Sequence, residues 1–309
     1  MPTSPQELRD RIAGVIGFPI TPFTQNLELD VPSLRENVEF MVHGGIHALV
    51  AAGGTGELYS LTPEEHATVV RTTVEVVHGR IPVIAGVGYS AALGRSLARA
   101  AEAAGADGIL ILPPYYVNAD SNGLIEYYRH IAAATSLGVF PYSRDWVTFT
   151  PALLHKLAEI PNAIAFKDGQ GDLRAFSRLR HALGDRFLWL GGVGDDMVGG
   201  YFAAGAKGFT SSIANFMPDV ALALFTAARA GDFATVRAIT AQKVQDFYDL
   251  RIRRKGYEVS MVKEAMHFLG MRAGPVRPPL VNVSNEDREL LRRALERAGL
   301  RTVVVQARS

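Results

Sequence analysis

Lysine is scarce in this chain of 309 residues: Lys156, Lys167, Lys207, Lys243, Lys255 and Lys263 are all there are, and arginine carries the rest of the positive charge. Lys167 differs from the others in ending a short apolar run, "IAFKDG". A lysine at the end of a buried strand loses its proton readily, and the neutral amine can attack a carbonyl to form an imine, which arginine cannot do. The plainer alternative is an ion pair with Asp168 or Asp172. Tyr142 closes another apolar run in "FPYSRD". A phenol beside such an amine can shuttle protons while the imine forms and the enamine collapses, or it can be a core tyrosine with a satisfied hydroxyl. In "AAGGTGELYSL" the glycines, Gly54 among them, expose backbone N–H groups at the head of a helix, which suits a carboxylate, and Thr55 adds a hydroxyl. Arg144, two residues past Tyr142, has the planar fork that a second carboxylate would use, or it pairs with Asp145. Asp195 and Ser212 stand at the ends of further apolar runs and suit substrate hydroxyls. Asp195 and Asp196 could also cap a helix or hold a divalent metal, but no histidine or further carboxylate joins them.

These residues acquire a common location only if the elements carrying them are strands of one sheet. Eight short runs rich in Val, Ile and Leu recur: Gly14–Pro19, Ala48–Ala52, Pro82–Val87, Gly108–Leu112, Gly138–Tyr142, Ala163–Lys167, Phe187–Gly191 and Gly208–Ser212. Continuous apolar runs bounded by Gly and Pro fit strands buried on both faces, as parallel sheets require. Helical stretches such as Pro63–His78, Leu93–Ala104, Leu124–Ala134, Pro151–Glu159 and Asp196–Ala204 alternate with them. In "HGGIHALV", "AAGADGIL" and "AAGAKGFT", Gly45, Gly105 and Gly205 fall where a helix end needs a left-handed residue before the next strand. The expected fold is α/β, a (β/α)8 barrel, and the chemistry then sits at the C-terminal ends of the strands. That rule keeps Lys167 and sets aside Lys207, at the opposite end of strand 8, and the i, i+4 pair His43 and His47, which precede strand 2.

After Asn215 the strand pattern stops. Pro218–Ala230, Phe233–Arg254, Val259–Leu269 and Glu286–Ala298 read as helices, joined by the proline-rich connection "RAGPVRPPLVNVS". The expected organisation is a barrel over residues 1–230 with a small C-terminal helical bundle, 231–309, packed on it. The basic run Arg251–Lys255 reads as a solvated helix end. "GGVG" from Gly191 could instead be a phosphate-binding turn, which would make the barrel a binder of flavin or a phosphorylated ligand.

A net charge of +1 offers nothing to nucleic acid or an anionic membrane, and the absence of cysteine removes disulfides, thiolate metal sites and cysteine nucleophiles. Met1 to Arg11 is polar with mixed charge and has no apolar core of a leader, and no stretch approaches 18 apolar residues. A cytoplasmic protein without metal or organic cofactor is expected.

With "FPITPF", "GGTGE", "PYY", "YSRD", "FKDG", "GVGDD" and "SSIANF" in order at strand ends, the chain resembles the dihydrodipicolinate synthase / N-acetylneuraminate lyase family from about Ile12 to its C-terminal helices. The resemblance implies a lysine Schiff base with a 2-oxo acid and a homo-oligomer, a dimer or tetramer. It maps the Schiff-base lysine to Lys167, the proton-shuttling tyrosine to Tyr142, the carboxylate-binding turn to Gly54 and Thr55, and an interface tyrosine to Tyr116. Two departures are informative. The synthase pattern has two threonines in the strand 2 turn, where here the first is Gly54, and "YSRDWV" replaces its proline-containing turn after strand 5. Both resemble the 5-dehydro-4-deoxyglucarate dehydratase branch, which implies decarboxylating dehydration of that sugar diacid to 2,5-dioxopentanoate. The protonated imine would supply the electron sink that a cofactor otherwise supplies. The general base is left among Tyr142, the Lys167 amine and a water held by Ser212. A 2-keto-3-deoxy sugar acid aldolase, or a dihydrodipicolinate synthase-like enzyme, would use the same imine.

Overall fold

The computed structural model describes residues 3–303. Among them, eight parallel strands close into a barrel in sequence order, with β1 paired to both β2 and β8. The strands are β1 (Val15–Gly17), β2 (Ala48–Ala51), β3 (Val83–Tyr89), β4 (Gly108–Pro114), β5 (Gly138–Ser143), β6 (Ala165–Asp168), β7 (Leu188–Gly191) and β8 (Gly208–Ser211). Alternation along each strand sorts its side chains between two apolar layers. Ile16, Val50, Ile84, Leu110, Phe140 and Leu190 fill the barrel interior. Val15, Leu49, Ala85, Ile109, Val139 and Phe166 face outward onto the helices. The two-residue period of β6 therefore sends Phe166 out and Lys167 in.

The N-terminal residues do more than their polarity suggests. Helix α1 (Pro5–Arg11) is started by a capping box between Ser4 and Glu7. It lays Leu8 and Ile12 against the barrel interior and closes the end of the barrel away from the site. The helices alternating with the strands are α2 (Val31–His43), α3 (Pro63–Val77), α4 (Ala91–Ala103), α5 (Ser121–Ala132), α6 (Pro151–Ala158), α7 (Leu173–Leu183), α8 (Val198–Ala203) and α9 (Pro218–Arg229). Gly45, Gly105 and Gly205 have φ of +83°, +88° and +95°, the left-handed turn that each helix-to-strand reversal needs. His47 lies at the stability end, where its Nδ1 accepts from the Val15 amide and its ring packs edge-on against Phe225.

The C-terminal helices depart from the sequence reading in one place. The stretch read as a single helix, Phe233–Arg254, is α10 (Phe233–Ile239), a π-helical turn (Thr240–Val244) and α11 (Gln245–Arg251). A π turn inserts one residue and rotates everything after it on the helix axis, which apolar periodicity does not report. Here it buries Phe247 and Tyr248 on the barrel side. Beyond it come α12 (Tyr257–Phe268) and α13 (Asn285–Arg297). The proline-rich connection between them is pinned to the strand 2 region: Arg277 bonds both oxygens of Glu65 and the carbonyls of Leu27 and Ser60. No helix among the described residues is long and apolar enough to cross a membrane.

Candidate active site

A cavity of about 480 Å³ opens at the C-terminal ends of the strands, and Lys167 stands on its floor. Tyr142 and Lys167 are register partners on neighbouring strands, and the lysine Nζ lies 3.6 Å from the centre of the tyrosine ring and 4.5 Å from that of Phe18. Lys167 is 5% exposed, and no carboxylate among the described residues pairs with it. Asp168, the obvious candidate, turns its carboxylate the other way, to the Tyr201 hydroxyl at 2.5 Å and the Gly171 amide. Asp172 is used as the N-cap of α7. Burial, followed by the nearby guanidinium groups of Arg144 and Arg251, holds the Lys167 ammonium well below the usual lysine range. The resting amine is thereby biased toward its nucleophilic form.

The lysine fits because Gly192 has no side chain. A Cβ there would meet Lys167 Cε at 2.7 Å and the Asp168 carbonyl at 2.4 Å. Gly191 is held open for the Tyr201 ring, and Gly194 for the ring of Tyr248. Each glycine of "GGVG" that a phosphate-binding turn would need is thus explained by close packing.

Tyr142 is buried, which raises its phenol above the ordinary value, while the Arg144 guanidinium beside it pulls the other way. The phenol is therefore a proton donor at neutral pH. Arg144 lines the cavity and also makes the local pair considered for it, with Nε 3.3 Å from Asp145. Gly54 and Thr55 face the cavity from the turn after β2. Their amides donate to no other described residue, and a Cβ on Gly54 would meet nothing within 4 Å. The turn is fixed from behind by Glu57, which is fully buried, accepts from the Arg277 amide and pairs with Lys263 of α12 at 2.5 Å. Ser212 lines the cavity wall, and Tyr116 stands at the mouth, 90% exposed with φ of +73°.

Asp195 is the exception and corrects the sequence reading. It does not line the cavity. Its carboxylate is sealed behind the strand 8 turn, where Oδ2 accepts from the Tyr248 hydroxyl (2.6 Å) and from the amides of Ser212 (3.2 Å) and Ile213 (3.4 Å). It comes after Gly194 in a 3₁₀ turn and is fully buried. These bonds hold the backbone at Ser212. Arg251 corrects it in the other direction. Residues 252–255 are exposed, as a solvated helix end should be, but Arg251 lines the cavity together with Val259 and Leu280. This wall comes from beyond the barrel, and no strand-end motif could have signalled it. Among the described residues, no cluster of three or more His, Cys, Asp or Glu side chains is gathered to hold a metal ion.

The sequence model of the dihydrodipicolinate synthetase family matches residues 11–298. A Saccharopolyspora erythraea protein named probable 5-dehydro-4-deoxyglucarate dehydratase is 43% identical, over 93% of this chain and 94% of its own. A protein of the same name from Rhodococcus opacus is 40% identical, over 91% and 93%. Among solved structures, dihydrodipicolinate synthase from Bacillus clausii superposes with a TM-score of 0.91 at 34% identity, covering 95% of this chain and 100% of its own.

Proposed function

The chain belongs to the dihydrodipicolinate synthetase family, and from that premise we propose that it is a Schiff-base lyase converting 5-dehydro-4-deoxy-D-glucarate to 2,5-dioxopentanoate, CO2 and water. The observation that carries this reading is Lys167: buried, without a counter-ion, biased toward the amine and laid against Tyr142 on the floor of the cavity. The naming of the relatives selects the substrate.

The substrate's ketone lies beside one carboxylate, which the amides and hydroxyl at Gly54 and Thr55 receive. Lys167 Nζ adds to the ketone carbon, and the carbinolamine oxygen leaves as water after taking a proton from Tyr142. The iminium acidifies the adjacent methylene. Loss of that proton and of the β-hydroxyl as water gives a conjugated iminium. The electron pair of the distal C–CO2⁻ bond then moves into this sink as CO2 departs; the dienamine so formed takes up protons on carbon, its enol becomes the aldehyde, and hydrolysis of the imine returns the amine. Arg144 serves Tyr142 and helps orient the distal end through few contacts, because its guanidinium is already engaged by Asp145 and the phenol. Ser212 meets a substrate hydroxyl or holds a water.

An exposed aromatic held at positive φ suits a surface covered by a second copy, and Tyr116 with Tyr115 and Val117 forms such a rim beside the cavity. A cytoplasmic homo-oligomer, dimer or tetramer, is the assembly this reading takes. Incubation with the diacid should release CO2 and 2,5-dioxopentanoate together, and borohydride with a 2-oxo acid should add mass at Lys167. Cleavage to a smaller aldehyde without CO2 would replace this reaction with the retro-aldol of the same imine.

A further inference from the structure

We infer that Arg251, delivered from α11 outside the barrel, is the residue that recognises the distal carboxylate and so selects diacids over 2-keto-3-deoxy monoacids. The inference rests on the imine reading above. Its basis is a difference between the two guanidinium groups lining the cavity. Arg144 is already engaged, with Asp145 at 3.3 Å and with the phenol it flanks. Arg251 is anchored through the other parts of its side chain. Its Nε donates to the Glu258 carbonyl at 3.1 Å, and its guanidinium carbon lies 5.1 Å from the centre of the Tyr248 ring. No carboxylate among the described residues forms an ion pair with it, and the Glu258 side chain is exposed at the mouth of the cavity. The arrangement fixes the plane of the fork and leaves both terminal nitrogens for an incoming anion.

Charge balance points the same way. A dianionic substrate joined to Lys167 as an iminium retains one net negative charge, and the Arg144–Asp145 pair contributes none. A cation beyond that pair is required in a cavity largely walled by apolar and aromatic groups, and Arg251, whose field also reaches Asp196, supplies it without a direct ion pair. The field of Arg251 reaches Lys167, so the two sit in one electrostatic site. Tyr248 is held in turn by Asp195, and the rotation introduced by the π turn Thr240–Val244 brings both Tyr248 and Arg251 to the barrel side. The specificity contact is thus built by the C-terminal helices and is independent of the strand ends that build the chemistry.

The test compares Arg251→Met and Arg251→Lys with wild type in three measurements. These are KM for the diacid, the inhibition constant of 2-keto-3-deoxygluconate as the monoacid, and borohydride trapping of pyruvate, which has no distal group. Loss of a charge-assisted contact should raise KM for the diacid roughly 10- to 100-fold in Arg251→Met. Arg251→Lys, which keeps a cation beside Lys167, should fall in between, with its monoacid constant and pyruvate trapping within about twofold of wild type; in Arg251→Met any change that acts through the charge of Lys167 should fall equally on diacid and monoacid and leave the loss of diacid preference standing. Equal weakening of diacid and monoacid, or an unchanged diacid KM, overturns the inference. A shifted pH profile of pyruvate trapping with no diacid preference also overturns it, since Arg251 would then act only through the charge of Lys167. If Arg251→Met does not fold, the same comparison is made with Arg251→Lys. Failure of wild type to trap pyruvate would instead remove the imine reading itself.

Discussion

Two buried lysines occupy opposite sides of the strand 2 turn, and only their partners differ. Lys167 is 5% exposed and Lys263 is 2% exposed, and each places its Nζ over an aromatic ring, Tyr142 in one case and Phe23 at 4.4 Å in the other. Lys263 meets Glu57 at 2.5 Å and the Pro275 carbonyl at 2.8 Å. Lys167 forms no ion pair, and burial with the charges of its neighbours Arg144 and Arg251 outweighs the field of the Asp168 carboxylate. Burial alone therefore does not make a lysine reactive. Burial with a counter-ion makes a strut, and burial beside like charge makes a nucleophile.

The sharpest way to break this contrast is to remove the nucleophile. Lys167→Ala should abolish both turnover and the borohydride adduct, read by CO2 release and by intact mass. Full turnover by that variant, or an adduct at Lys263, would end the distinction. Stability should then separate the two lysines with opposite signs. Lys263→Met leaves Glu57 buried without its cation and should cost about 3–5 kcal/mol in denaturant unfolding. Lys167→Met should be neutral or stabilising at neutral pH. The folded-state pKa of Lys167 lies well below the unfolded value of about 10.5, so between the two the unfolded chain holds a proton that the folded chain lacks. Stability of the wild type consequently rises with pH across that window, and the penalty is full below it. The advantage of Lys167→Met in Tm should shrink as pH approaches 10.5, and an advantage that does not change with pH would show that the amine is not held neutral.

Smaller effects sharpen the picture around the nucleophile. Tyr142→Phe should lower kcat about 10²-fold or more, the usual scale of proton transfer by a positioned group. Unchanged kcat would make Tyr142 a packing residue whose ring supports Lys167. Arg144→Ala should have the smallest effect, a several-fold rise in KM for the diacid, of the order of 1 kcal/mol by the tenfold-per-1.4 kcal/mol rule. A larger effect on kcat than on KM would mean that its contact with Tyr142 outweighs its contact with substrate.

What the sequence made legible follows from how each residue is placed. Lys167, Tyr142, Gly54 and Thr55 could be gathered at one mouth because parallel strands of a barrel end together, so that position along a strand is position in space. Asp195 satisfied the same rule and still does not line the cavity, because the rule places a backbone and says nothing of a side chain in the irregular turn beyond it. Arg251 was not legible: its place depends on a π turn that no periodicity records. Helix α1 was missed for a related reason, since two apolar residues, Leu8 and Ile12, in a polar stretch are too few to announce a plug.

Gly54 and Gly192 are both glycines on the cavity wall, yet their futures differ. At Gly192 any side chain collides with Lys167, so the position is locked for as long as the lysine is kept. At Gly54 a Cβ meets nothing within 4 Å and the backbone is not in the left-handed region. Gly54→Thr, the residue of the synthase pattern, is therefore expected to fold, with a Tm close to that of the wild type. The strand 2 turn is therefore a place where this wall of the cavity can gain or lose a hydroxyl while the neighbouring wall at Gly192 stays fixed.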